Sequence, residues 1–199
     1  MSPSPYAALT NVQFLLSESV QVAQALGTGR TWSELRADAR EGRLFGPGRA
    51  TSQLTIVTAL KARFAGLSEA QLGLLVSGSL ETRQVLTLAL VVRQKQLLAD
   101  FIAEVLVPQW RVYARTVSDA DVRAFLMRKA DEEPEIAAWS AATTQKTRGN
   151  ITRFLLDAGL LRPVGTGEYA VVPQYLTPTL RAAVEVIDPR TATLLGALQ

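Results

Sequence analysis

Apolar residues recur along most of this chain at the three-to-four-residue spacing of a helix face, and only one stretch near the end alternates as a strand does. The pattern predicts a helix over 17–26, stopped by Gly27 and Gly29, and a second over 31–41, stopped by Gly42. Thr31-Trp32-Ser33-Glu34 opens the second as a capping box: the Thr31 hydroxyl accepts from an orphan N–H while Glu34 reaches back. Gly46-Pro47-Gly48 marks a hard turn, and a longer helix over 50–64 follows with Leu54, Val57, Leu60 and Phe64 on one stripe. The opposite face of that helix, Thr51, Ser52, Thr55, Ala59 and Ala62, is small and nearly neutral; it could lie against a nucleic-acid groove with the loop arginines on phosphates, but packing on another helix is the favoured expectation. Ser68 caps a further short helix. The longest helical region is expected over 79–107, interrupted by Pro108 and resuming through Trp110 and Tyr113. Within it the apolar run from Val85 to Val92 is closed by Arg83 and Arg93. It falls far short of the roughly 20 residues a bilayer span needs, which predicts a buried core helix.

The segment 118–172 has a distinctive order. Ser118-Asp119-Ala120-Asp121 caps a helix ending near Lys129, Glu133-Pro134 starts a short helix through Trp139, and Thr143 caps a long helix that ends at Gly159. Leu160-Leu161-Arg162 and Tyr169-Ala170-Val171-Val172 then flank Gly165-Thr166-Gly167 as a hairpin, and a last helix over 178–186 follows. Helix, short helix, long helix, hairpin is the order of a winged helix-turn-helix module, whose third helix enters the major groove while the wing touches the backbone. At about 100° per residue, Thr147, Ile151, Phe154, Leu155 and Ala158 share the face expected to pack inward. Gln145, Lys146, Gly149 and Arg153 fall on the opposite face, with Arg148 and Asn150 on its flanks and Arg162 at the foot of the wing. Lys and Arg suit phosphates, Gln and Asn pair with adenine edges, and Arg pairs with guanine. The segment 17–66 repeats this layout more weakly, with Arg30, Arg43 and Arg49 in its connections. The expected fold is therefore mainly α: a helical bundle core, winged-helix-like units toward both ends and a small C-terminal β-hairpin wing. Its expected parts are an N-terminal helical unit over 1–78, a central long helical region over 79–116 and a C-terminal winged-helix-like domain over 117–199.

Composition narrows the chemistry. The 199 residues include no His and no Cys. There is thus no imidazole base or ligand, no thiol nucleophile and no thiolate zinc or iron–sulfur site, which favours a binding role over an enzyme. The net charge is only +3, but it is unevenly spread. Residues 30–66 carry seven Lys/Arg against three Asp/Glu, residues 143–163 four against one, and residues 118–135 three against six. Two basic zones separated by an acidic one suit a polyanion as partner. Gly46-Pro47-Gly48-Arg49-Ala50-Thr51-Ser52 lacks the Gly-Lys-Ser/Thr ending and the preceding strand of a phosphate loop. The cluster Asp131, Glu132, Glu133 and Glu135 is explained by a helix start at Pro134 rather than by a metal. Asp100 and Glu104, one turn apart, are expected to pair with Arg93, Lys95 or Arg111. Trp32, Trp110, Trp139, Phe101 and Phe154 are expected in the core. Met1-Ser2-Pro3-Ser4-Pro5 has neither a basic nor an apolar leader segment, which suggests a cytoplasmic protein.

Several of these residues together carry a family resemblance. Leu15-Leu16-Ser17-Glu18-Ser19 and Trp32-Ser33-Glu34-Leu35 lie near the start. Leu97-Leu98-Ala99-Asp100-Phe101, with Val105 and Arg111, lies in the middle. Trp139-Ser140, Thr143, Lys146, Asn150, Arg153 and Ala158-Gly159-Leu160-Leu161 lie toward the end. In order and spacing they resemble the small BrxA proteins of bacterial BREX phage-exclusion systems, over nearly the whole chain. The resemblance implies a compact, mostly helical protein with winged-helix-like ends. It also implies double-stranded DNA binding and a non-enzymatic role in phage defence beside other BREX proteins. No cofactor, membrane or small-molecule substrate is expected. The candidate DNA-binding residues are Arg43, Arg49, Gln145, Lys146, Arg148, Asn150, Arg153 and Arg162. A protein–protein scaffold within the defence complex and an RNA-binding helical protein are the alternative readings.

Overall fold

A computed structural model describes residues 6–10, 13–46 and 48–199. The N-terminal pentapeptide and the Pro47 of the expected turn lie outside the described residues. Helices α1 (Leu16–Gly27), α2 (Trp32–Arg40), α3 (Ala50–Arg63) and α4 (Glu69–Ser77) form the first part of the chain. The capping box before α2 is present, the Thr31 hydroxyl accepting from the Glu34 N–H and the Glu34 carboxylate from the Thr31 N–H. A second box, Ser68 with Gln71, starts α4. No strand lies between residues 16 and 77 among those described, so this part is helical without a wing.

The expected helix over 79–107 is divided. α5 (Leu80–Val92) ends at Arg93-Gln94-Lys95, and α6 (Gln96–Phe101) continues as a π-helical turn, Ile102–Leu106, into α7 (Val107–Arg111). The π turn has a local cause. Pro108 has no N–H to donate one turn back and its ring crowds the carbonyl there, and widening the helix to i→i+5 bonding, as in Val107 N–H to the Ile102 carbonyl, relieves both. Pro108 therefore does not interrupt the helix; the break lies fifteen residues earlier in the polar triplet.

The C-terminal half runs β1 (Thr116–Ser118), α8 (Asp119–Glu132), α9 (Pro134–Ala137), α10 (Ala141–Asp157), β2 (Leu161–Gly165) and β3 (Glu168–Val171). It closes with α11 (Pro178–Ile187) and α12 (Pro189–Gly196). The hairpin is one strand richer than expected. β1 pairs antiparallel with β3 through Thr116–Ala170, Val117–Tyr169 and Ser118–Glu168, giving the order β1-β3-β2. β1 escapes the alternation rule because three residues are too few to show a period. The cap of α10 is Ser140, whose hydroxyl accepts from the Thr143 N–H, so Thr143 is the capped position and not the cap. α12 was not expected; Asp188 caps it through the Thr191 N–H and hydroxyl, and Pro189 occupies its first turn.

One continuous core runs from Leu9 to Leu198 around α5, whose residues from Val85 to Val92 are all buried. α4, α11 and α12 all pack on α5. A Gln71 amide donates to the Ala183 carbonyl at 3.1 Å, tying α4 to α11. Phe101 and Phe125 meet edge to face at 5.1 Å, and Phe14 meets Phe154 at 6.4 Å, the contact that joins the N-terminal segment to α10. No helix among the described residues is long and apolar enough to cross a membrane.

Candidate nucleic-acid interface

α10 divides as its sequence dictates. Thr147, Ile151, Phe154 and Leu155 are buried, whereas Gln145, Lys146, Gly149 and Arg153 are exposed and Arg148 and Asn150 half-buried. Lys146 and Arg148 have no ion-pair partner among the described residues. Arg153, four-fifths exposed, reaches Asp157 only at 3.9 Å. A methyl group on Gly149 would meet nothing within 4 Å, so packing within the chain does not require glycine there. Asn150 differs from its neighbours: its amide donates to the Leu9 carbonyl, and that donor is spent on holding the N-terminal segment.

The hairpin is held against α10. The Asp119 N–H donates to the Gly167 carbonyl at 2.9 Å and the Tyr169 hydroxyl lies 3.5 Å from the Asp119 carboxylate, fastening the turn to the start of α8. Partial burial, followed by the nearby Asp119 charge, raises the Tyr169 hydroxyl above its ordinary pKa. Arg162, second residue of β2, is exposed opposite Ala170. Between the hairpin and α10 lies a shallow concavity of about 580 Å³ bordered by Gln145, Arg148, Gly149 and Tyr169.

Arg43 and Arg49 sit in the loop before α3, which is organised by one buried side chain. Gln53 accepts from the Leu44 N–H at 2.9 Å and donates to the carbonyls of Gly42 and Gly46, both at 2.9 Å. Arg43 is engaged by Glu41 and Asp38 but remains largely exposed. Hydrogen bonding from Arg30, with Arg43 adding to it, holds the Asp38 carboxyl below the usual carboxylate range. Arg49 is exposed, with no ion pair among the described residues.

The small face of α3 does not pack on a helix. Ser52, Thr55 and Ala59 line one wall of an open groove of about 840 Å³ whose other wall is the Lys146–Arg153 side of α10. The neutrality of this face leaves the groove's charge to the residues around it. Arg63 and Lys95 lie at its inner end. Arg63 is buried without a carboxylate and donates to the carbonyls of Phe14 at 2.8 Å and Gln13 at 2.7 Å. Burial pushes its guanidinium down to about 10, leaving it charged at neutral pH. Those two bonds also secure the turn into α1, where Leu15 adopts the left-handed φ of 61°. Burial, then repulsion from Arg63, lowers the Lys95 ammonium from its usual pKa. Arg63 does not stand out in the sequence, and Lys95 does so only as an expected partner of Asp100 or Glu104. The one available signal was that Arg93-Gln94-Lys95 breaks an apolar pattern.

Asp100 and Glu104 do form ion pairs, but with α8 rather than with Arg93, Lys95 or Arg111. The Lys129 ammonium, almost fully buried, lies 2.6 Å from Glu104 and 3.3 Å from both Asp100 and Glu132, and Arg128 reaches Glu104 at 2.8 Å. Arg93 is diverted because α5 ends there; its guanidinium instead donates to the Arg63 and Ala65 carbonyls at the end of α3. Glu132, from the acidic cluster, is thus a structural ion-pair partner.

The BrxA family model matches residues 5–187. No curated protein matches the sequence. The crystal structure of an uncharacterized protein from Magnetospirillum magneticum superimposes with a TM-score of 0.76 at 17% identity, covering 96% of this chain and 97% of that one. At this identity the likeness is one of fold.

Proposed function

The chain belongs to the BrxA family of BREX phage-exclusion systems, and from that premise we propose that it is a non-enzymatic, cytoplasmic accessory protein that binds double-stranded DNA. In this reading α10 lies at the major groove, with Gln145 and Arg148 toward base edges and Lys146 and Arg153 on phosphates. The β2–β3 hairpin is the wing, carrying Arg162 to the backbone, and Arg43 and Arg49 extend the cationic track. Asn150 supports the helix from behind by holding Leu9. Other BREX proteins are the expected protein partners.

The observation that carries this reading is the outward side of α10, where the exposed Lys146 and the half-buried Arg148 have no ion-pair partner among the described residues. A helix that served only to pack would gain from carboxylates one turn away; here cations stand open beside a glycine with no packing role. Arg43 is not lost to the interface by its ion pairs, because exposed pairs are weak and exchange readily for phosphate.

Duplex affinity measured against salt tests the proposal. Five neutralised phosphates predict a slope of log K on log salt of about −4.5. The triple variant K146E/R148E/R153E, checked for retained helicity, is expected to abolish binding. Duplex binding equal to wild type in that variant refutes the site. Loss of duplex binding with co-purification of other BREX proteins intact would identify scaffolding as a separate activity, and preference for structured RNA over duplex would replace the DNA reading.

A further inference from the structure

We propose that the groove between α3 and α10 is a further binding site, for a phosphate-bearing ligand of nucleotide size, which shares Lys146 and Arg153 with the DNA face and adds Lys95. The groove encloses about 840 Å³. That lies within the range of small-molecule sites, about 300–1,000 Å³, and is a space for one nucleotide rather than for a duplex. Arg63 and Lys95 are adjacent cations whose charges no carboxylate among the described residues pairs. Partly buried ammonium groups normally find an anion, as Lys129 does threefold in this same protein. Ile56 and Ala59 line the same groove and offer a half-buried apolar surface for a ring. Glu18 and Asp157 also border the groove; Asp157 already faces Arg153, and Glu18 is suited to accept sugar hydroxyls.

The floor is preorganised. Arg63 is fixed by two backbone carbonyls and cannot swing away, so its charge is a permanent part of the site and Lys95 is the mobile donor. Burial and Arg63 both disfavour the charged Lys95, and a bound phosphate reverses that penalty. Lys95 lines the groove and not the α10–hairpin concavity, whereas Arg162 lies on the hairpin and outside the groove. The two sites share Lys146 and Arg153 but can be told apart by mutation at Lys95 and at Arg162.

The test titrates the full-length protein by calorimetry at low salt with dTMP and with a 5′-phosphorylated tetranucleotide of dT. These probes separate a free nucleotide from the end of a strand. Wild type is expected to bind at least one of them, K95Q to bind it at least tenfold more weakly, and R162E to bind it as wild type does while losing affinity for a short duplex. Binding of dTMP assigns a free nucleotide, and binding of the tetranucleotide alone assigns a strand end. Because no carboxylate among the described residues pairs with Lys95 and its nearest charge is the Arg63 guanidinium, K95Q is expected to melt no lower than wild type. A marked drop in its melting temperature overturns the proposal by showing that Lys95 serves the fold. Failure of both probes to bind, or equal binding by K95Q, overturns it as well.

Discussion

Gly149 separates stability from binding at a single position. Glycine inside a helix costs about 1 kcal/mol relative to alanine, and a methyl group there meets no atom of the protein. G149A is therefore expected to raise thermal stability while weakening duplex affinity, because the methyl would stand between α10 and the groove edges; melting and binding curves on one preparation check both signs. Lys129 presents the opposite case. Its ammonium is held by Asp100, Glu104 and Glu132. Removing one member of a buried ion cluster costs about 3–5 kcal/mol, and the partial exposure of Glu104 and Glu132 reduces this to about 2 kcal/mol for K129A. Partial burial opposes the charged Glu104, but hydrogen bonds from Lys129 and Arg128 outweigh it and hold its carboxyl below the ordinary range. A lowered folded-state pKa gives stability that is complete above the unfolded carboxyl pKa, about 4.3, and is lost as pH falls through the folded value. Acid unfolding of wild type should accordingly steepen below about pH 4, and K129A should lose that part of the pH dependence.

Among the elements, the loop before α3 depends most on one residue. Gln53 bonds backbone groups of Gly42, Leu44 and Gly46 from a buried position. Q53A leaves those groups to compete for water, and a loss of about 2 kcal/mol is expected from stranded partners. Duplex affinity should fall modestly in parallel, since Arg43 and Arg49 lose their fixed placement; a salt slope reduced toward zero with unchanged melting would contradict that origin. This element also shows what periodicity can reveal. The capping box at Thr31, the stops at Gly27 and Gly42, and both faces of α10 were legible because each depends on neighbours within one or two turns. The end of α5 at 93–95, the π turn before Pro108 and the three-residue β1 were not. The first two depend on what the helix packs against, and the third acquires its identity only from β3, some fifty residues later.

Across the whole molecule, the modest net charge conceals an ordered distribution. Lys129 and Arg128 of α8 are taken up by the carboxylates of Asp100 and Glu104, while the cations of α10 stand outward between two concavities. The α10 part of the candidate interface could be read from the sequence because it lies on one helix. The groove could not, since its walls come from α3, α10 and the segment around Phe14, and no local pattern announces that they meet. Lys95 is read from the sequence only as a partner for Asp100 or Glu104, because its actual setting is created by Arg63, thirty-two residues away.

The bond between Asn150 and Leu9 joins positions 141 residues apart, and Phe14 awaits Phe154 in the same way. A ribosome adds about 5–20 residues per second, so at least about 7 seconds separate the emergence of these partners. For that interval the N-terminal segment can rest on Arg63 and on α4 but not on α10. α10, made long after the N-terminal segment, completes the seating of Leu9 and Phe14 and supplies one wall of the groove, so that the cationic cleft comes into being only once α10 has been made.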